Sequence, residues 1–207
     1  MTRLGLIDYG MGNLHSVQRA FEGLGAEVQA VRRASDIPTC QALILPGVGS
    51  FDPAMQQLHA ADLVAPLRQS CAEKRPLLGI CLGLQLLFEA SDEGQSAGLG
   101  LLKGRVQALP RQPGHLIPHM GWAPLVPGEA SPLLPQGSPK SWVYFVHSYA
   151  AVPDLAVITT AWVDYAGHLV SAAVWHGAIS ACQFHPEKSG PVGIALLRRW
   201  LAWVQNR

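Results

Sequence analysis

Pro76-Leu77-Leu78-Gly79-Ile80-Cys81-Leu82-Gly83 is the stretch on which the reading of the fold turns. A short apolar run ends on a cysteine held between two glycines, and a helix-like segment follows. A strand that turns sharply into a helix needs residues without bulk on both sides of the turn, and it leaves the central side chain exposed where the helix begins. Unpaired backbone N–H groups and the positive end of the helix dipole there favour a thiolate over a thiol. The pentapeptide around Cys81 fits equally a small buried cysteine opening a core helix. A partner base elsewhere in the chain has to decide between the two.

Upstream of this turn the chain alternates strand and helix. Residues 4–7 read as a short buried strand, and residues 27–31, 42–45 and 77–80 as three further strands. Gly10, Gly12 and Asn13 turn the chain after the first strand, with Asn13 placed to cap a helix whose apolar stripe is Leu14, Val17, Phe21 and Leu24 and which stops at Gly23 or Gly25. Helical segments follow at residues 54–60 and 63–71. Such alternation predicts βαβ units and an open, mostly parallel sheet with helices on both faces. Beyond about Gly94, glycine and proline become frequent. Strand-like runs at residues 142–146, 157–161, 172–175 and 179–184 come too close together for helices between most of them. They predict either an antiparallel extension of the same sheet or a second small sheet, within one domain covering residues 1–207. An amphipathic helix from Pro191, with Val192, Ala195, Leu196, Trp200 and Trp203 toward one side, closes the chain. In open parallel sheets ligands bind beyond the carboxyl ends of the strands. Residues 9–13, residues 47–49 and Cys81 all lie at such ends.

Composition narrows the functional classes. The 207 residues carry a net charge of +1, and only 14% are charged, against about a quarter in ordinary domains. That balance leaves no electrostatic footprint for nucleic acid or an acidic membrane surface, and it suits a permanent protein partner. Cys40, Cys71, Cys81 and Cys182 form no CxxC pair and no disulfide framework, which fits a reducing cytoplasm. The chain runs from Met1 and Arg3 straight into strand-like sequence without a signal or transit pattern. No apolar stretch reaches membrane-spanning length. His115 and His119 have helical spacing, but Pro113-Gly114 and Pro118 place them in a loop rather than at a metal site. Neither a metal nor a cofactor is expected.

His185-Pro186-Glu187 supplies the base. It follows the strand-like Ser180-Ala181-Cys182-Gln183-Phe184. A histidine leaving a strand, with a carboxylate two residues on and a proline stiffening the link, sets its ring over a nucleophile while the carboxylate holds the other ring nitrogen. A solvated strand-end histidine and glutamate are the alternative for the tripeptide alone; with Cys81 on a βα turn, a Cys81–His185–Glu187 triad is the better reading. Acyl transfer also needs donors for the developing oxyanion. The N–H of Leu82, next after the nucleophile, is the first. The turn Gly47-Val48-Gly49, at the end of a neighbouring strand, is the candidate for the second; a Pro-Gly-x-Gly turn with no ligand is the alternative for the segment alone, and its place beside Cys81 favours the donor role.

These residues resemble the class I, triad-type, glutamine amidotransferases: Gly79 to Gly83 with Gln85, the Pro46-Gly47-Val48-Gly49 turn, and Phe184-His185-Pro186-Glu187. Three more segments, Tyr9-Gly10-Met11-Gly12-Asn13-Leu14, Pro118-His119-Met120-Gly121-Trp122 and Tyr144-Phe145-Val146-His147-Ser148-Tyr149, together with Lys188-Ser189, are similar to the glutaminase subunits of imidazole glycerol phosphate synthase. The resemblance implies a flavodoxin-like sheet and hydrolysis of glutamine through a Cys81 thioester, with His185 shuttling the proton and Glu187 orienting it. It implies that Gly49, Gln85, Glu93, Ser148 and Tyr149 hold glutamine. A solvated loop glutamate and a packed tyrosine remain alternatives for Glu93 and Tyr149.

The resemblance also implies a (β/α)8-barrel cyclase subunit as partner, with Met120, Trp122 and Lys188 at the interface, and ammonia passing between the two sites; a tryptophan covering its own core and a solvated lysine are the alternatives for Trp122 and Lys188. One departure stands out: asparagine is common in the family after this tryptophan, and this chain has Ala123. Glutamine hydrolysis is expected to wait for the partner, the Gly47–Val48 peptide reorienting before it donates to the oxyanion. Three rivals remain: the glutaminase of pyridoxal phosphate synthase, against which residues 9–14 and 118–122 argue; a free-standing Cys–His hydrolase; and an inactive interaction subunit.

Overall fold

Every residue of the strand Ala42–Gly47 is buried, and a strand buried on both faces must be covered on both. Ile44 packs on one side with Leu4, Leu6, Phe21 and Trp200. Leu43 and Leu45 point the opposite way, among Phe51, Leu58, Leu67 and Leu84. The period-two alternation of a strand thus divides one continuous apolar run between two cores. The structure is a computed structural model and describes residues 1–134 and 141–207.

The elements in chain order are β1 (Arg3–Ile7), α1 (Leu14–Glu22), β2 (Glu27–Val31), β3 (Ala42–Gly47), α2 (Phe51–Ala60), α3 (Val64–Ala72), β4 (Leu77–Cys81), α4 (Leu82–Leu86), β5 (Ala90–Ser91), β6 (Gly104–Ala108), β7 (His119–Pro127), β8 (Trp142–His147), β9 (Tyr149–Pro153), β10 (Thr159–Tyr165), β11 (His168–His176), β12 (Ile179–Cys182) and α5 (Gly190–Gln205). Among the described residues they build a nine-stranded sheet in the order β2-β1-β3-β4-β12-β11-β10-β7-β8 and a three-stranded sheet in the order β5-β6-β9. The five strands from β2 to β12 are parallel, and the four beyond are antiparallel. The antiparallel extension is the alternative that holds for the runs named in the second half, which all join the main sheet; the small sheet is built from β5, β6 and β9, outside those runs. Residues of α1 and α5 fill the first core, and residues of α2, α3 and α4 the second.

Several local expectations are corrected. Asn13 precedes α1, but its side chain makes no capping bond. The helix after Cys81 is only five residues long, so local hydrogen-bond donors matter more at the sulfur than a macrodipole. In the run 157–161, a 3₁₀ turn at Ala156–Ile158 comes first and β10 begins at Thr159. His119 opens strand β7 instead of lying in a loop. The inward face of α5 is carried by Leu196, Leu197, Trp200, Leu201 and Val204, while Trp203 is partly buried and packs edge-on against Trp175.

Trp200 ties the C-terminal helix to the sheet. Fully buried, it meets Phe21 edge-to-face at 5.6 Å and donates its indole N–H to Ser180 Oγ at 2.8 Å. Ser180 in turn donates to the Leu77 carbonyl at 3.0 Å, which links α5 through β12 to β4. Replacing Trp200 by alanine removes a large core side chain and one of Ser180's partners, so a loss of about 3–5 kcal/mol is expected in urea unfolding. A loss under about 1 kcal/mol, the range of surface substitutions, would contradict this placement.

Candidate active site

Strand pairing assembles the site. In the β3–β4 register Gly47 lies opposite Cys81, and in the β12–β4 register Cys182 lies opposite Ile80. The turn 47–49, the cysteine and the segment leading to His185 therefore leave three adjacent strands at the same end. Cys81 has φ +55 and ψ −113, a conformation costing a non-glycine residue about 1–3 kcal/mol. The strain persists because the start of α4 is pressed against β3. A Cβ on Gly83 would collide with the Leu45 carbonyl, and one on Gly79 would stand 2.9 Å from the Gly83 carbonyl oxygen. Both glycines are required by that close approach.

His185 is held from several sides. Its N–H donates to the Tyr144 carbonyl at 3.0 Å. Ser189 donates its hydroxyl to the His185 carbonyl at 2.6 Å and accepts the Tyr144 N–H at 3.0 Å. Phe184, fully buried, packs edge-on against Phe145. The 3₁₀ turn Pro186–Lys188 swings Glu187 back, so that its Oε1 lies 2.8 Å from His185 Nδ1, with the two side chains 3% and 1% exposed. Cys81 neighbours the ring and lines the same cavity. Burial depresses the His185 pKa, but the neighbouring Cys81 and Glu187 outweigh it and push the value up to about 9. The ring thus carries its proton at neutral pH, with Nδ1 committed to Glu187 and Nε2 left for the sulfur.

Tyr9 braces the other wall. Its hydroxyl donates to the Pro46 carbonyl at 2.9 Å, and burial, reinforced by the neighbouring Cys81, raises its pKa and keeps it a neutral donor. A Cβ on Gly47 would stand 2.8 Å from that hydroxyl. Gly49 adopts φ +94 as the chain turns toward α2.

Cys81 and His185 open into a cavity of about 320 Å³. Val48, Gly49, Leu82, Gln85, Glu93, Ser148 and Tyr149 also line it. Glu187 stands behind His185 rather than in the cavity. Gln85 is 5% exposed and donates to the Tyr149 carbonyl at 2.9 Å and to Gln183 Oε1 at 3.0 Å. Glu93 is no free loop carboxylate: its Oε2 accepts the Phe51 N–H at 2.9 Å, capping α2 where Ser50 makes no side-chain cap. Ser148 is the link at which the chain leaves the large sheet for the small one.

Sequence reasoning missed His147 and Gln183. His147 lines the cavity, and its Nδ1 lies 2.9 Å from the Tyr149 carbonyl, an acceptor only, so Nδ1 carries hydrogen. Burial pulls its pKa down to about 4, leaving Nε2 to accept from His119 Nδ1 at 3.3 Å. Gln183 is fully buried, with Nε2 3.9 Å from Cys81 Sγ. The available signal was a primary amide between Cys182 and Phe184 in the strand-like run 179–184.

The class-I glutamine amidotransferase profile matches residues 5–202. The chain belongs to that family. It is 57% identical over 210 residues to the imidazole glycerol phosphate synthase subunit HisH 2 of Prochlorococcus marinus (strain MIT 9313), covering 100% of this chain and 97% of that protein. Subunit HisH of Synechococcus sp. (strain CC9902) is 56% identical over 203 residues, covering 98% and 95%. Among solved structures, PurLQS from Thermotoga maritima superposes with a TM-score of 0.76 at 19% identity, with 98% of each chain covered. That similarity concerns the fold, a class-I amidotransferase-like α/β sheet.

Beside the cavity the amidotransferase chain exposes an apolar face. Met120 is 62% and Trp122 53% exposed, and the Trp122 ring meets Tyr144 and approaches Gly190. Lys188 is exposed as well. Ala123, one residue further along β7, points inward and belongs to the first core. Strand alternation explains the difference: position 123 faces away from the surface that Trp122 occupies.

Titration of ¹⁵N-labelled imidazole is expected to place the His185 midpoint near 9. Glu187→Gln removes a carboxylate that favours the protonated ring, so the midpoint should fall by about 1–2 units, and Cys81→Ala should lower it too. A parent midpoint at the ordinary histidine value, about 6.5, would refute the buried pairing.

Proposed function

We propose that this chain is the glutaminase subunit of an imidazole glycerol phosphate synthase. It hydrolyses glutamine to glutamate and ammonia and delivers the ammonia to a (β/α)8-barrel cyclase subunit, which forms imidazole glycerol phosphate and AICAR in histidine biosynthesis. The observation that carries this reading is the buried Cys81–His185–Glu187 arrangement opening into a cavity beside the exposed Met120 and Trp122. A volume of about 320 Å³ lies at the lower end for ligand pockets and suits one amino acid.

In this reading the Cys81 sulfur attacks the side-chain amide carbon of glutamine, and the carbonyl electrons move onto oxygen. The Leu82 N–H and the 47–49 turn donate to that oxyanion. His185 gives its proton to the nitrogen as the C–N bond breaks, releasing ammonia and leaving a thioester. Water then attacks the thioester, His185 takes its proton, the C–S bond breaks, and glutamate leaves. Glu187 keeps the ring oriented and balances its charge throughout. Gly49, Gln85, Glu93, Ser148 and Tyr149 hold the substrate. With two N–H donors already committed to Tyr149 and Gln183, Gln85 has its carbonyl oxygen left for the ligand.

Ammonia released into water would be protonated and lost, so the partner's site must face this one across a sealed contact. Met120, Trp122 and Lys188 supply that contact. The chain works as one glutamine amidotransferase domain in the cytoplasm, consistent with its four free cysteines. Among the described residues no helix is long and apolar enough to cross a membrane. The Gly47–Val48 peptide reorients when the partner binds its own ligand. Tyr9 clamps the Pro46 carbonyl, so the movement begins at Gly47, the last residue of β3, and leaves the rest of that strand in place.

The purified chain is expected to turn glutamine over at only a small fraction of the rate reached with barrel subunit and nucleotide ligand present. Cys81→Ala should abolish glutamine-dependent synthesis by the complex and spare ammonia-dependent synthesis. Full glutaminase turnover by the chain alone would refute the coupling. Equal loss of both syntheses in an assembled Cys81→Ala complex would make the cysteine structural.

A further inference from the structure

Gln183 occupies the position immediately after β12, two residues before His185, and is fully buried. A buried primary amide presents one acceptor and two donors, and its partners decide which end faces which way. Here the direction is set from a backbone carbonyl. Tyr149 O can only accept, so the atom of Gln85 lying 2.9 Å from it is the amide nitrogen. The second hydrogen of that nitrogen is aimed at Gln183, 3.0 Å away, which must therefore turn its oxygen toward Gln85. The nitrogen of Gln183 is left facing Cys81 Sγ at 3.9 Å. His147 donates to the same Tyr149 carbonyl at 2.9 Å, so both lone pairs of the anchoring oxygen are used and the Gln85 amide has no reason to flip.

We infer that Gln183 is a hydrogen-bond donor to the catalytic sulfur, oriented by Gln85, and that it stabilises the thiolate formed ahead of attack and formed again when the thioester breaks. The assignment rests on Cys81 being the nucleophile. His185 is the proton carrier beside the sulfur, whereas Gln183 is an uncharged donor that exchanges no proton. At 3.9 Å the contact is long for a neutral thiol. A donor that is already aimed strengthens as negative charge develops on its acceptor, above all in a buried site. The chain Gln85–Gln183–Cys81 also joins substrate to nucleophile. A ligand accepted by the Gln85 oxygen bears on the same amide that sets Gln183.

The test uses the complex with the barrel subunit and two variants. Gln183→Met removes donor and acceptor at similar volume, and Gln183→Glu keeps the acceptor for Gln85 while placing a carboxylate at the sulfur. The rate of Cys81 alkylation by iodoacetamide, followed against pH, should have its midpoint raised by about one unit in Gln183→Met and by more in Gln183→Glu. Glutamine-dependent kcat should fall about 10- to 100-fold, the effect of losing one hydrogen bond to a charged group, with KM changed less than about threefold. Ammonia-dependent synthesis should persist. An alkylation profile and kcat equal to the parent's in either assembled variant overturn the assignment. So does an effect confined to KM, which would make Gln183 a wall of the glutamine cavity, and so does failure of both variants to assemble, which would make it a folding residue. Failure of the underlying reading looks different: the parent complex itself would show no alkylation dependent on Cys81 and no glutaminase activity.

Discussion

The contact between Gly83 and the Leu45 carbonyl governs the geometry of everything nearby. Because no side chain intervenes, α4 starts directly against β3, and the chain can reverse from strand to helix within the single residue Cys81. That residue is left at positive φ with its sulfur at the sheet's carboxyl edge. Gly47 stands opposite it in register and carries the adjacent turn past the same point. Any side chain at Gly83 would push the helix away, relax the cysteine and separate it from the turn. The strained backbone at Cys81 is sustained by packing in the second core, where Leu82, Leu84 and Leu86 are all buried.

Charge is handled with similar economy. His185 and Glu187 are almost entirely withdrawn from water, an arrangement whose desolvation cost usually rivals its Coulombic gain. Glu187 Oε2 is moreover a buried oxygen without a hydrogen-bond partner among the described residues. A stability argument alone would favour apolar residues at both positions. In the proposed reaction the pair makes sense as chemistry: the buried carboxylate and the neighbouring cysteine together keep a proton on His185 above neutrality, where a leaving amine would need it. Surrounding amides, hydroxyls and carbonyls hold these groups in place without adding charge.

Much of the fold could be read from periodicity, and the reasons are local. Residues 27–31 form β2 as expected, a partly exposed edge strand, and the predicted runs at 4–7, 42–45 and 77–80 fall inside β1, β3 and β4, because a buried parallel strand is a short apolar run bounded by glycine, proline or charge. The stripe of α1 was visible for the same reason. Elsewhere the local signal was weaker than the tertiary one. Asn13 has the right side chain for a cap and does not use it. His119 sits next to a proline yet pairs with His147 at the start of a strand, because β8 supplies a ladder that local sequence does not reveal. Of the residues predicted to hold glutamine, Glu93 proved to cap a helix 42 positions away, a long-range bond with no sequence signature.

The sequence by itself determined the elbow at Cys81, the His185-Pro186-Glu187 tripeptide and the alternation that makes the first half of the sheet parallel, since each depends on residues within a few positions of one another. Only the tertiary structure decided how the distant segments face each other: β12 inserted beside β4, the switch at Ser148 from one sheet to the other, and the amide chain from Tyr149 through Gln85 to Gln183 and the sulfur. The physical reason is that hydrogen-bond direction is a property of partners. A glutamine in a sequence offers both an acceptor and donors, and it acquires one orientation only when a carbonyl 64 residues away has fixed its neighbour.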